Sequence, residues 1–352
     1  MDPRAPGVVS AGVDNRLRQP ATMYSGGDNG GIFKSADGGA SWRKLTNGLA
    51  AGESGMIDLS IYLKDPDIIV AAYEADSEIP YDAAVPPWEQ TPGTGTYLSE
   101  DAGETWKWIL RTANRPFYHG QVQIDPNDPD RIFSVGRTFQ VTLDGGESWR
   151  NKWWGGGGDD HDFWIAPYDS SIFYTATDQG AHLTIDDGET VLSLNNMAVG
   201  QYYKVGVDMR DPYWVIGGLQ DNAIWTGPSN SRETRGILNM HYSWLGEGDG
   251  FASLADPTDY RVVYMVNHVG FAMRLNVETR EPTFITPTPE TVVNFSDYSD
   301  AGYAEEPIVY TIDPGEHWFR YGRPPLRPLM PPHFRFNWNS PLTMSPSNPR
   351  VL

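Results

Sequence analysis

Acidic side chains set beside glycine and imidazole are the residues of this chain best suited to chemistry. Residues 155–164, GGGGDDHDFW, deliver Asp159, Asp160, His161 and Asp162 from a run of four glycines. Further carboxylates stand in short turn-like segments: Asp28 in GGDNGG, Asp178 in ATDQG, Asp221 in LQDNA and Asp249 in GEGDG. Two carboxyl groups, one protonated as general acid and one ionised as base or nucleophile, cleave a glycosidic bond. They stand about 5 Å apart for retention or about 6.5–9.5 Å apart for inversion. Carboxylate and imidazole together can also relay a proton or hold a divalent cation. Each group has a plainer reading. Asp before Asn-Gly or Gln-Gly is an ordinary turn residue, and His161 in a glycine loop can simply hydrogen-bond to its acidic neighbours. No spacing matches a zinc motif or a calcium loop, so no metal is expected. The chain has no Cys, no Gly-x-Ser-x-Gly, no Walker loop and no dinucleotide fingerprint, which leaves nucleophile triads and bound cofactors without support.

Composition narrows the setting for these acids. The 352 residues carry 26 Lys+Arg against 46 Asp+Glu, a formal charge of -20, which excludes a nucleic-acid partner because phosphate binding needs a basic face. No stretch reaches the roughly 18–20 apolar residues of a membrane-spanning helix, and MDPRAPGVVS lacks the pattern of a signal peptide. Absence of cysteine excludes disulfides and leaves the compartment open; an extracellular or periplasmic location is the working expectation. The 37 Gly, 28 Pro, 13 Trp, 18 Tyr and 13 Phe suit many short strands joined by tight turns.

Two interleaved repeats show which elements must hold the acids. The first, Ser/Thr-x-Asp-x-Gly-x-x-Trp, begins at Ser35, Ser99, Thr142 and, with Val191 in place of Trp, at Thr184. Its Asp accepts backbone N–H groups, its Gly supplies positive φ, and its Trp anchors the returning strand, so a structural role is expected. Trp42, Trp106 and Trp149 are accordingly read as core. The second repeat is a Pro-containing turn before a strand, at Asp2-Pro3, Asp65-Pro66, Asp125-Pro126, Ala166-Pro167, Asp211-Pro212, Asp256-Pro257 and Ser345-Pro346. Such a period predicts an all-β β-propeller of about seven four-stranded blades. The Pro turn should join strands one and two of a blade, and the Asp-bearing turn strands three and four, both on one face. Function then falls to the opposite face, to the loops entering strand one and those between strands two and three. One propeller over 1–352 is expected, with 277–332 an irregular Pro-rich excursion. The chain opens on a Pro turn without its preceding strand, so either the C-terminal segment completes the first blade or the chain is a fragment, the latter being favoured.

The segments GGIFKSADGGASWRKLTNGL, DDHDFWIAP, TDQGAHLTIDDGET, YYKVGVDMRDPYWVIGGLQDNAIWTGPS, GEGDGFASLADP and RFNWNSPLTMSPSNP resemble the large bacterial Asp-box (BNR-repeat) proteins described as glycosyl-hydrolase-like, whose propellers are similar to the sortilin N-terminal domain. The resemblance covers nearly the whole chain outside 277–332. It departs from the pattern at Val191, at Ala223 where the group has Gly, and in having the length of one propeller only, whereas xyloglucan-cleaving relatives hold substrate between two. The resemblance implies that the repeated turns are Asp boxes and that the chain acts on a polysaccharide or oligosaccharide. The Asp28-Asn29-Gly30-Gly31 run resembles a segment bearing a catalytic aspartate, which makes Asp28 the expected base, with Asp249 or Asp221 as acid. His161, Asp160, Asp178, Trp164, Tyr202 and Trp338 are expected to contact substrate. The alternative is a non-catalytic, sortilin-like propeller that holds a protein or peptide. Sialidase chemistry is disfavoured, since Arg115, Arg274 and Arg335 form no evident cluster.

Overall fold

The computed structural model describes residues 1–18, 23–75, 83–112, 118, 120–136, 139–152, 159–195, 200–246, 248–267, 270–287, 336, 338–348 and 351–352. They form two compact units, Met1–Asn195 and Asn196–Leu352. In the first unit the chain runs through β1 (Val9–Val13), β2 (Arg16–Arg18), β3 (Met23–Ser25), β4 (Gly31–Ser35) and β5 (Arg43–Leu45). Strands β1, β4 and β5 form the first sheet, and β2 and β3 a separate ribbon. The second sheet is β6 (Ile57–Ile61), β7 (Ile69–Tyr73), β8 (Gly95–Ser99) and β9 (Lys107–Arg111). The third is β10 (Gln121–Ile124), β11 (Ile132–Val135), β12 (Gln140–Thr142) and β13 (Arg150–Asn151). The fourth is β14 (Asp160–Ile165), β15 (Phe173–Thr177), β16 (Gly180–Thr184) and β17 (Leu192–Ser193). The second unit holds a fifth sheet, β18 (Tyr202–Val207), β19 (Trp214–Leu219), β20 (Ile224–Pro228) and β21 (Ser243–Gly246), and a sixth, β22 (Gly250–Ala255), β23 (Val262–Asn267), β24 (Ala272–Asn276) and β25 (Pro282–Phe284). Successive antiparallel meanders of four strands are the blades of a β-propeller, the fold expected from the repeats. Strand β25 falls inside the segment 277–332 read as an excursion; residues 288–332 lie outside the described residues. No helix among the described residues is long and apolar enough to cross a membrane.

The turn chemistry follows the sequence repeat by repeat. Gly39, Gly103, Gly146 and Gly188 donate their N–H groups to the hydroxyls of Ser35, Ser99, Thr142 and Thr184 at 2.8–2.9 Å. Asp37, Asp101, Asp144 and Asp186 accept the N–H groups of Ser41, Thr105, Ser148 and Thr190 at 2.8–2.9 Å. The residue before each turn glycine, Gly38, Ala102, Gly145 or Asp187, lies at φ 59–72°. Its N–H then points away from the hairpin and donates to a Pro-turn carbonyl of the same sheet, that of Gly7, Asp67, Asp130 or Ser171, at 2.8–3.0 Å. The Pro turns share a hydrogen bond from one N–H to the carbonyl six residues on: Asp2 to Val8, Tyr62 to Ile68, Asp125 to Arg131, Ala166 to Ile172, Asp208 to Trp214, Asp256 to Val262 and Ser345 to Val351.

The core sits between neighbouring sheets. Strand β7 is buried on both faces: Ile69, Ala71 and Tyr73 pack with Ile32 and Leu45 of the first sheet, while Val70 and Ala72 pack with Val122, Ile124 and Ile132 of the third. Phe133, Phe139, Phe163 and Phe173 fill the space between the third and fourth sheets, with ring centroids as close as 4.8 Å. Trp106 is 6% exposed and packs against the first sheet, and the Trp149 indole donates to the Ile109 carbonyl of the second at 3.0 Å. The expectation that all three repeat tryptophans are core fails for Trp42, which is 45% exposed. Each such ring packs on the preceding sheet, and within the first unit no sheet precedes the first.

Candidate functional site

The fourth sheet gathers a group of titratable side chains where strand one begins. Asp159 adopts φ 54°, and the Asp160 N–H donates to the Gly136 carbonyl of the third sheet at 3.3 Å. Between Asp160 and Asp162 the register against β15 shifts, so His161 is the additional residue of a β-bulge, a device that re-aims a side chain. Its Nε2 reaches the carboxylate of Asp178, in the turn between β15 and β16. Asp160 itself is only 5% exposed. Burial pushes its carboxyl up to about 6, the neighbouring Asp159 charge adds to the rise, and His161 opposes it. Strand one is bulged at the same end in the fifth and sixth sheets too, between Tyr202 and Lys204 and between Gly250 and Ser253.

In the second unit the Asp249 carboxylate serves the backbone. Asp249 is 3% exposed, and its carboxylate accepts the Asp221 N–H at 3.0 Å. The Ala223 N–H donates to the Gly248 carbonyl at 2.9 Å, and Asp221 and Ala223 both lie at positive φ, 55° and 71°. The LQDNA turn is thus pinned to the start of β22. Trp338 stands edge-on to Phe251 with centroids 6.2 Å apart, and Tyr203 lies 4.8 Å from the same ring. Burial raises the Tyr202 phenol above its ordinary value. Asp221, Asp249 and Trp338 therefore share the loop end of the sixth sheet.

Two candidates stand elsewhere. Asp28 is exposed in the turn before β4, its carbonyl accepting the Lys44 ammonium at 3.2 Å. Trp164, 49% exposed, is paired in register with Tyr174 near the Pro-turn end of β14, four residues beyond Asp160. At about 3.3 Å rise per residue, that is on the order of 13 Å from the cluster. Trp153, Trp154, His119, Glu247, His268 and Asn337, which the sequence places near these loops, lie outside the described residues. Sequence reading missed Glu74 and Asp58. The buried Glu74 carboxylate accepts the Ser25 hydroxyl at 2.6 Å and the Met56 N–H at 2.8 Å. Asp58 accepts the Val122 N–H at 3.0 Å, and burial, with a smaller effect of the Asp162 charge, raises its carboxyl against that hydrogen bond. No group of three or more His or acidic side chains among the described residues is arranged to hold a metal ion.

No protein-family model matches this sequence, and no curated protein does either. Among solved structures the chain is similar to a GH74 xyloglucanase from Xanthomonas campestris, at 14% identity over 78% of this chain and 45% of that one, with a TM-score of 0.36. It is similar to YCF48 bound to a D1 peptide at 13% identity over 79% and 85%, TM-score 0.36. For a GH74 enzyme from Niastella koreensis the figures are 12%, 78%, 45% and 0.37. No family is assigned. The chain spans under half the length of either GH74 protein.

Chemically, the loop end of the fourth sheet offers a carboxyl that keeps its proton to about pH 6, a second carboxylate bonded to imidazole, and a bulge that fixes the imidazole's direction. The loop end of the sixth offers aromatic surface and an acid engaged with backbone.

Proposed function

We propose that this chain is a carbohydrate-active, glycoside-hydrolase-like propeller whose acid–base chemistry lies at the loop end of the fourth sheet. The observation that carries this reading is the buried Asp160 carboxyl, pushed up to about 6 by burial and then by Asp159, at the start of a bulged strand whose His161 reaches the Asp178 carboxylate. Glycosidic cleavage requires a proton donor and a second carboxylate. Asp160 is assigned as the acid that protonates the leaving oxygen. Asp178 is assigned as the base or nucleophile, oriented by His161. Asp28, exposed in the same unit, is the other candidate for the second carboxylate. Polysaccharide is the proposed substrate class, with Tyr202 and Trp338 as aromatic surface for sugar rings. The test is reducing-sugar release across plant, algal and bacterial polysaccharides by the parent protein and by its Asp160→Asn, Asp178→Asn, Asp28→Asn and Asp249→Asn variants. Loss in the folded Asp160→Asn and Asp178→Asn proteins with retention in Asp249→Asn is the expected pattern.

A second reading, a binding propeller for a protein or peptide, is favoured by the pairing of Asp249 with the Asp221 backbone. An acid buried as a turn acceptor serves a rigid rim and needs no proton transfer. Absence of sugar release from a folded parent on every substrate would move the assignment there.

A further inference from the structure

The turn faces of adjacent sheets are laced together by acids of the repeated turns. Glu104 of the second sheet is held by Lys34 at 2.9 Å and by Arg43 at 2.8 Å, both from the first. Asp187 of the fourth is held by Lys152 at 2.6 Å and by Arg131, both from the third. Between the fifth and sixth sheets, within the second unit, the corresponding place is built differently. The connection from β20 to β21 lacks the repeat, and these strands present the hydroxyls of Thr226 and Ser243 instead of basic side chains. The result is a pocket of about 180 Å³. Its apolar walls are Ile216, Val263 and Val277, and its charged members are Arg210, Glu278 and Arg280.

The two arginines are not equivalent. Arg210 lies over the ring of Trp214 at 4.2 Å and over that of Tyr260 at 4.6 Å, and its Nε donates to the Asp208 carboxylate at 2.6 Å, so its charge is matched and its position fixed. Arg280 donates to the Trp244 carbonyl, a neutral acceptor. Its backbone is held at φ 65°, a conformation that favours glycine and that a side chain occupies at a cost. A guanidinium at a position that favours glycine, beside the apolar wall of a pocket and bonded to a neutral carbonyl among the described residues, is suited to a ligand carboxylate held on the side away from Glu278.

We propose that this pocket binds a small aliphatic monocarboxylate, its tail against Ile216, Val263 and Val277 and its carboxylate on Arg280. A cavity of about 150 Å³ accepts benzene, so a pocket of about 180 Å³ takes the tail of a six-carbon acid and leaves its carboxylate at the rim where Arg280 stands.

The test is titration of the full chain, followed by NMR or calorimetry, with 4-methylpentanoate, with its uncharged amide and with glucuronate. The decisive variant is Arg280→Gly, which removes the guanidinium and suits the positive φ, so that its melting temperature is expected to equal or exceed the parent's. The expected result is saturable binding of 4-methylpentanoate that weakens roughly tenfold or more both in the variant and for the amide, the range for loss of a charge-assisted hydrogen bond. Unchanged affinity in Arg280→Gly, equal binding of the amide, tighter binding of glucuronate, or no saturable binding at millimolar ligand overturns the proposal.

Discussion

Replacing Asp160 by Asn keeps the shape of a buried side chain and removes its titration. The carboxyl sits at about 6 in the folded protein, against about 3.9 in an unfolded chain. That difference of about two units corresponds to about 3 kcal/mol, at roughly 1.4 kcal/mol per unit. Because the folded state binds this proton more tightly, the associated stability is fully present below pH ~4 and is lost as pH rises through about 6. The Asn variant carries no such loss. Its stability should match the parent's near pH 3.5, with any difference there measuring only the change of group, and should exceed it by up to about 3 kcal/mol near pH 7.5. For a unit of this size, each kcal/mol moves the melting temperature by about 2–4 °C, so the gap at pH 7.5 is on the order of 6–12 °C. Thermal melts of both proteins across that range provide the assay. A gap independent of pH, or one that grows towards acid, would refute the burial of a protonated Asp160. If Asp160 is also the general acid, the rate of sugar release should fall as pH rises above about 6.

The repeated turns give two further tests. Ser99, 1% exposed, accepts the Gly103 N–H at 2.8 Å and donates to Asp101 at 2.9 Å; Ser99→Ala strands a buried donor and should cost about 1–3 kcal/mol in urea unfolding. Asp144 is held down at about 2 by the Ser148 hydroxyl, then by Thr142. Its contribution is present above the unfolded value and lost as pH falls from about 4 to about 2, so Asp144→Asn should destabilise at neutral pH and converge with the parent near pH 2. Solvent screening at this exposed turn keeps that difference under about 1 kcal/mol.

What the sequence made legible was the chemistry that neighbouring residues complete among themselves. Asp, Gly and Ser or Thr at fixed spacing spell a turn, and Pro spells its partner, so the order of turns and strands within a sheet could be read directly. Burial depends on what lies across the interface, and there the reading weakened. Trp42 shares its motif with Trp106 yet, within the first unit, has no preceding sheet to pack on. Asp249 is a candidate acid from its place in a turn-like segment and from the resemblance; that its carboxylate accepts the Asp221 N–H is a geometry no spacing reveals. Trp164 is close in number to the Asp-Asp-His-Asp cluster, but extension along β14 carries it away. Asp58 and Glu74 are single acids within or just after apolar strands, with no pattern to single them out. The cluster at 159–162 was visible as composition, whereas its bulge and the burial of Asp160 come from packing on the third sheet.

The bond from the left-handed residue of each repeated turn to its own Pro turn has a consequence for how such a chain can change. Both ends of that bond belong to one sheet, so a sheet joins its two turns with its own residues, in addition to its bonds with a neighbouring sheet such as Lys34 with Glu104 and the Trp106 N–H with the Asn47 carbonyl. A stretch running from the first strand of one sheet to the first strand of the next therefore carries both ends of that bond. It can be duplicated, exchanged or grafted with its rigid end intact, leaving the opposite loops to vary one sheet at a time.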